Sequence, residues 1–269
     1  MNDQVPWQLK MFRKTLKKKL RLGTLKKHLG QISKSDRCLL VTCGDNNGAM
    51  NYHLRNIGGE WSWADLEDKS IEEMKELLGD DVYMTQANAL PFPDDTFACV
   101  VSVDVHEHLV DPLPFTRELR RVAKPGGRII ISVPNGNEKK LATRIKNAIG
   151  MTKEKYGHVK EGYDIPELEE LMEKSNIKPT AASSFSRFFT EMLELSINFL
   201  YVNVLSKKGD VAVTRGTIAP PTKKHLQSVK KVYRIYSLIY PFFWVISKLD
   251  CLCCFGTGYV VLVEGERRA

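Results

Sequence analysis

The sequence predicts an α/β chain built on a doubly wound, mostly parallel sheet of seven strands. Two observations carry that prediction. Short apolar runs alternate with helix-length segments from residue 37 to residue 133, the order that wraps helices over both faces of a parallel sheet. One run, Ala98–Val103, is almost wholly apolar, as a strand covered on both faces must be.

The elements follow from local residues. Cys38–Thr42 is the first strand, Gly44–Gly48 a turn, and Ala49–Arg55 can be helical. Trp61–Ala64 is the second strand, Ser70–Leu78 a helix, and Val82–Thr85 the third strand. Leu113–Ala123 reads as a helix stopped by Lys124-Pro125-Gly126-Gly127, with the fifth strand, Arg128–Val133, after it. Ile165–Ser175 is a helix, Lys178–Ser184 a sixth strand, and Phe188–Leu205 an apolar-rich helix. Lys207–Thr222, with its Gly, Thr and two prolines, reads as a loop. Lys223–Leu252 is basic and then aromatic, and Pro241 argues against one uninterrupted helix there. Tyr259–Glu264, after Gly256 and Gly258, is the final strand.

At 269 residues, 43% hydrophobic and 27% charged, the composition is that of a globular chain and excludes collagen-like or wholly disordered readings. The formal net charge of +8 is unevenly placed. Residues 1–35 hold ten bases and one acid, Asp3, which leaves 30 bases against 31 acids elsewhere. Most of the positive field therefore comes from one arm. In that arm Phe12, Leu16 and Leu20 recur at spacing four among lysines, the pattern of a basic amphipathic helix that Gly23 interrupts. The chain thus divides into a basic helical arm (1–35), a core (36–206), a basic and aromatic helical insertion (207–255), and a last strand with its tail (256–269).

Three of the six cysteines, Cys38, Cys43 and Cys99, sit in or beside strand-like apolar runs. Cys251, Cys253 and Cys254 cluster without a second pair at zinc spacing, so neither a metal nor a disulfide scaffold is expected, and a reducing compartment is. The basic N-terminus lacks the apolar core of a secretory signal. The uncharged run Ile235–Ser247 is shorter than the roughly 20 residues of a spanning helix.

The chemistry-bearing motifs come in order. Val41-Thr42-Cys43-Gly44-Asp45-Asn46-Asn47-Gly48 follows the first strand, where glycine lets the backbone turn sharply and approach a ligand. Asn46 is among the few other residues that tolerate positive φ. Asp65 ends the second strand, where a carboxylate in a nucleotide-binding α/β fold accepts hydrogen bonds from ribose hydroxyls. Then come Gln86-Ala87-Asn88-Ala89-Leu90-Pro91-Phe92, next Val103-Asp104-Val105-His106-Glu107-His108, and last Glu118-Leu119-Arg120-Arg121-Val122-Ala123-Lys124-Pro125-Gly126-Gly127.

This ordered set resembles the class I S-adenosylmethionine-dependent methyltransferases, in particular their small-molecule, type 11-like branch. The resemblance is close over residues 37–135 and looser to about 187, through Gly157-His158-Val159-Lys160-Glu161-Gly162-Tyr163. It implies a Rossmann-like methyltransferase fold and S-adenosyl-L-methionine as cofactor. Thr42, Gly44, Asp45, Asn46 and Gly48 would enclose the methionine moiety, Asp65 would hold the ribose hydroxyls, and Leu66 would pack on adenine. Gln86, Ala87 and Asn88 would sit at the adenine edge, and Val103 to His106 would line the transfer site. Thr42, Asn46 and Gln86 stand where the family carries an acid, a glycine and an acid.

The reaction implied is in-line displacement at a sulfonium methyl, with a base needed when the acceptor is a hydroxyl. Asp104, His106 and His108 are the candidates, with Glu107 to orient an imidazole. His158 and Tyr163 are expected in a lid over the acceptor or as loop-fixing residues. The acceptor is expected to be a small or lipid-linked molecule. The basic residues beside aromatic ones at Lys223–Trp244 suit an anionic membrane surface, or else a buried hairpin or dimer face. The place expected is the cytoplasm, peripheral to the inner face of the membrane.

Two other classes compete. A module on the same fold could bind cofactor without turnover. A nicotinamide-dependent oxidoreductase would share the first loop and Asp65, but the chain shows no Tyr-x-x-x-Lys pair. No nucleic-acid partner is expected, because the fourth strand lacks the Asn/Asp-Pro-Pro-aromatic set used on flipped bases.

Overall fold

The computed structural model describes residues 5–44, 46–200, 223–228, 230–253 and 255–268. Its strands are β1 (Arg37–Thr42), β2 (Glu60–Asp65), β3 (Val82–Met84), β4 (Phe97–Val103), β5 (Ala123–Pro134), β6 (Ile177–Phe185) and β7 (Val260–Arg267). They form one seven-stranded sheet in the order β3-β2-β1-β4-β5-β7-β6. Neighbours from β3 to β5 pair in parallel, and β7 runs antiparallel between β5 and β6. The strand order reverses between β1 and β4, so the crevice beyond their carboxyl ends is where such a sheet binds ligands.

Alternation along β1 explains the two-sided core. Cys38 and Leu40 enter one apolar cluster with Leu54, Trp63 and Met74, while Leu39 and Val41 enter the opposite one with Phe115, Leu119 and Leu168. The first face is covered by α3 (Ala49–Arg55), α4 (Ile71–Leu78) and the N-terminal arm. The second is covered by α5 (Leu113–Val122) and α7 (Ile165–Lys174), with α6 (Leu141–Ala148) between them in the chain. After β6 come α8 (Phe188–Leu200), α9 (Lys223–Ser228) and α10 (Lys230–Ser247).

The arm departs from expectation. It is two helices, α1 (Trp7–Phe12) and α2 (Leu16–Leu29), and the break falls at Arg13–Thr15 rather than at Gly23. Gly23 lies inside α2 over open space, so its missing side chain leaves no packing gap. The buried stripe is Leu22, Leu25 and Leu29, whereas Leu20 is exposed. Tertiary burial of that stripe, more than helix propensity, holds α2 on the sheet.

Two further expectations are corrected. The helix stops at Val122, before Lys124–Gly127, but the fifth strand does not wait until Arg128: β5 begins at Ala123, paired with Phe97, and the run bulges before regular pairing resumes at Arg128. Pro241 does not break α10. A proline there leaves the carbonyl four residues earlier without its amide donor. That carbonyl, on Ser237, accepts from Lys14 Nζ at 3.3 Å. The expected loop 207–222 lies outside the described residues.

Candidate active site

The loop after β1 is held by its own side chains. Gly44 (φ 70°) and Gly48 (φ 86°) take left-handed conformations. A Cβ at Gly48 would also stand 3.2 Å from the Met74 backbone, so glycine is needed twice over. Asn46 is not among the described residues with positive φ. Its role is a brace: Nδ2 donates to Asn51 Oδ1 (2.7 Å) and Thr42 Oγ1 (3.2 Å), and Oδ1 accepts from the Gly48 amide (3.0 Å). Asp45 lies outside the described residues.

Asp65, at the end of β2, is fully buried. One oxygen accepts from Thr42 Oγ1 at 2.6 Å, the other from the Gly44 and Glu67 amides at 2.8 Å each. Burial pushes its pKa up, and these three donors pull it back. In this structure Asp65 therefore ties the β1 loop to the β2 turn. Leu66 packs half-buried beside it, and Ala87 joins the same apolar cluster. Gln86 and Asn88 are exposed beyond the end of β3.

Two hollows open at the carboxyl ends of β1 and β4. The smaller, about 40 Å³, is lined by Thr42, Cys43, Asn46, Asn47, Val103 and Asp104, with Arg21 and Lys18 from α2. The larger, about 220 Å³, is walled by the end of β5, α6, α8, α10 and the 153–161 segment, and takes in Glu107, His108 and His158. Cys43, Asp104, Lys18 and Arg21 line both. Leu66, Gln86, Ala87 and Asn88 line neither.

Asp104 sits at the junction with φ 51°, a strained value for a residue other than glycine. Arg21 clasps it with both terminal nitrogens, at 2.5 and 2.7 Å. The sequence reading missed Arg21. Its signal was present: Arg21, Leu25 and Leu29 share the buried face at spacing four, and a base in an apolar stripe needs a partner. Glu191, Glu194 and Lys17 were also missed; Lys17 Nζ pairs with Glu191 at 2.9 Å, and its amide donates to Glu194 Oε1 at 3.4 Å. Burial pushes the Glu194 pKa up.

The histidines separate clearly. His106 is fully buried against Phe115 and lines neither hollow, so its expected place at the transfer site is corrected to a place in the core. Thr116 spends its hydroxyl proton on the Pro112 carbonyl (2.8 Å), so His106 Nε2 donates to Thr116 Oγ1 (3.2 Å). Desolvation pushes its pKa down to about 3. His108 lines the larger hollow, and its Nδ1 donates to the Gly157 carbonyl at 3.0 Å. That tautomer leaves Nε2 with the lone pair. His158 stands edge-on to it, ring centroids 4.7 Å apart, and burial lowers its pKa to about 3 as well.

Tyr163 is buried away from both hollows and fixes a loop: its hydroxyl donates to the His106 carbonyl (3.3 Å) and its amide to the Pro134 carbonyl (2.9 Å). Glu107 does the same from the other side, its carbonyl accepting from the Val159 and Lys160 amides. Ligand atoms of Glu107, His108 and His158 lie within 4.8 Å of one another, a donor set that divalent ions accept. Cysteine and histidine spacing could not reveal this group, because 50 residues separate His108 from His158.

A pH dependence of stability follows. Below about pH 6.5 the unfolded chain protonates His106 and the folded chain does not, so stability falls with pH until about pH 3. Between about pH 7 and 5 this amounts to roughly 2 kcal/mol. Replacing His106 by Gln keeps a donor for Thr116 and removes the titration. Thermal melts of H106Q should therefore show a flatter acid limb than wild type; parallel limbs would refute the burial.

Sheet order, antiparallel β7, the glycine turn after β1 and the crevice at the β1–β4 reversal together define the class I Rossmann-like methyltransferase fold. Residues 39–131 match the family model described as a methyltransferase domain. Over those residues the chain is similar to the methyltransferase family, and its fold is that of class I S-adenosylmethionine-dependent methyltransferases. A ubiquinone biosynthesis O-methyltransferase of Cereibacter sphaeroides is 32% identical over 117 residues, covering 42% of this chain and 47% of that protein. A ubiquinone/menaquinone biosynthesis C-methyltransferase of Marinomonas sp. is 28% identical over 121 residues, covering 42% and 48%. The chain thus spans about half the length of the curated relatives it matches. Among solved structures, phosphoethanolamine N-methyltransferase 2 of Haemonchus contortus, in complex with S-adenosyl-L-methionine, superposes with a TM-score of 0.57 at 15% identity, covering 93% of this chain and 52% of that one. At that identity the likeness is one of fold.

Proposed function

We propose that the chain transfers a methyl group from S-adenosylmethionine to a small-molecule acceptor held in the larger hollow. The observation that carries this reading is the shared wall: the β1-loop hollow and the larger hollow meet at Cys43, Asp104 and Arg21. The chain's residues fit the methionine end of the cofactor, since the left-handed glycine turn and Asp65 shape the loop beside Thr42, Asn46 and Val103. When bound, the cofactor supplies a methyl already activated on a positive sulfur. Asp104 and Arg21 divide the two hollows, His108 Nε2 takes a proton from a hydroxyl acceptor, and the Gly157 carbonyl holds its ring for that task. α2, α8 and α10 wall the larger hollow on the side away from the sheet.

Tyr156, Tyr233, Tyr236 and Tyr259 line the larger hollow, which suits a flat ring. The names of the relatives support an acceptor of quinone type, and one carried on a lipid is the finer part of the proposal. A second reading, cofactor binding without turnover, is favoured by the small size of the loop-side hollow and by Arg21 lying across it. Calorimetry with S-adenosylmethionine, followed by a screen of hydroxylated aromatic and quinol acceptors with labelled cofactor, separates the two. Transfer to any acceptor supports the proposal; binding with no transfer across the panel supports the second reading; no binding ends both.

A further inference from the structure

α10 has two unlike sides. Its inner side is bound to the arm: Tyr233 Oη donates to the Lys10 carbonyl (3.3 Å), Tyr236 Oη to the Lys14 carbonyl, and Lys14 Nζ to the Ser237 carbonyl (3.3 Å). Tyr233 and Tyr236 also line the larger hollow. Its outer side is an apolar stripe at spacings of three and four, Ile235, Leu238, Phe242 and Val245, continued by Leu249 and Leu252 in the turn after it. Leu238 is 78% exposed, Phe242 69% and Leu252 67%. A contiguous patch of this kind needs a partner.

The charge around the stripe identifies that partner. Residues 5–35 and 223–249 contain no Asp or Glu. Lys10, Arg13 and Lys19 of the arm are exposed, as are Lys223, Lys230 and Arg234 of the insertion. Lys19 reaches Tyr240 Oη at 3.3 Å, which joins the two basic segments directly. A second copy of the chain would bring like charges together, whereas an anionic lipid surface complements both the stripe and its bases.

We propose that α10 and the basic arm form a docking face for an anionic bilayer, with α10 lying flat in the interface. By length and composition alone Tyr233–Cys253 could cross a membrane, at 21 residues and mean hydropathy 1.3. The arm's grip on its inner side favours the flat orientation, which leaves the tyrosine side against the protein. The helix that enters the lipid is then also a wall of the larger hollow. An acceptor with a polar ring and an apolar tail reaches the hollow from the bilayer with its tail still in lipid. That last step rests on the methyl-transfer reading above; the docking itself does not.

Vesicle flotation of the full chain without cofactor tests the docking. The protein should float with phosphatidylcholine vesicles containing about a third phosphatidylglycerol, should stay behind with phosphatidylcholine alone, and should be released by high salt. The pair Leu238→Asp and Phe242→Asp, both on exposed positions, should lower binding at least tenfold with an unchanged melting temperature. Lys230→Gln and Arg234→Gln should each lower it about fivefold. Absence from anionic vesicles at low salt, or full binding by the double aspartate variant, overturns the proposal. So does sedimentation showing that the stripe holds a dimer that the aspartates dissolve while vesicle binding is nil. Calorimetry of the same preparation with S-adenosylmethionine keeps the two proposals apart, since either can fail with the other intact.

Discussion

Asp65→Ala should weaken binding of S-adenosylmethionine by about 2–4 kcal/mol, roughly thirty- to several-hundred-fold. The structure gives the reason. Removing the carboxylate strands the Gly44 and Glu67 amides and frees the Thr42 hydroxyl, all around one buried point. Asp65→Asn separates the two ways this can act. Its oxygen keeps the two amide bonds and its amide nitrogen donates to Thr42, so the loop stays braced while the charge is gone. If the carboxylate itself holds the ribose hydroxyls, Asn should bind cofactor nearly as poorly as Ala with a melting temperature close to wild type. If it acts only as a brace, affinity should follow stability, poor in Ala and restored in Asn. Unchanged affinity in both variants would remove Asp65 from the site.

His108→Ala should lower turnover on a hydroxyl acceptor by roughly 10²–10⁴-fold while leaving cofactor affinity near wild type. His108 lines the acceptor hollow with its Nε2 lone pair fixed by the Gly157 carbonyl. His106, two residues away, faces the core, so H106Q should keep its turnover at neutral pH. Single-turnover kinetics with saturating cofactor distinguish a chemical defect from slow product release. Full activity in the His108 variant would show that positioning of the acceptor accounts for the rate alone.

Where period and turn chemistry agree, the residues announced the architecture. Cys38–Thr42, Trp61–Ala64 and Ala98–Val103 fall within observed strands to within a residue or two, because short apolar runs bounded by turn residues are too short for helices and suit a sheet covered on both faces. Lys124–Gly127 misled, because a proline and two glycines mark a turn as readily as a bulge. Pro241 misled because its cost is met by Lys14, a residue more than 200 positions away. The same distance effect hid much of the site. Asp104 and His108 were legible from their place after β4, yet nothing local distinguishes inward His108 from buried His106; α5 and Thr116 decide that. Arg21 was obscured by the lysines around it, although its spacing of four from Leu25 and Leu29 places it on the buried face; its partner Asp104 is 83 positions away and shows only in the fold.

The arm that carries Arg21 is fastened along its whole length by buried apolar side chains, with charge added only beside the hollows. Beyond Arg21, Leu25 and Leu29 are fully buried, Arg128 donates to the carbonyls of His28 (3.1 Å) and Leu29 (3.0 Å), and the His28 ring bridges Glu264 and Ser183 at 2.8 Å each. Towards the hollows Leu9, Phe12 and Leu16 are buried as well, and charge is added to that burial, through Arg21 on Asp104 and Lys17 on Glu191, with Asp104 27% and Lys17 29% exposed. The ion pairs are clasps over a seam that is already greasy. Ions in solution compete with the clasps and leave the seam alone. Raised ionic strength therefore weakens the arm's grip beside the crevice without releasing the arm from the sheet.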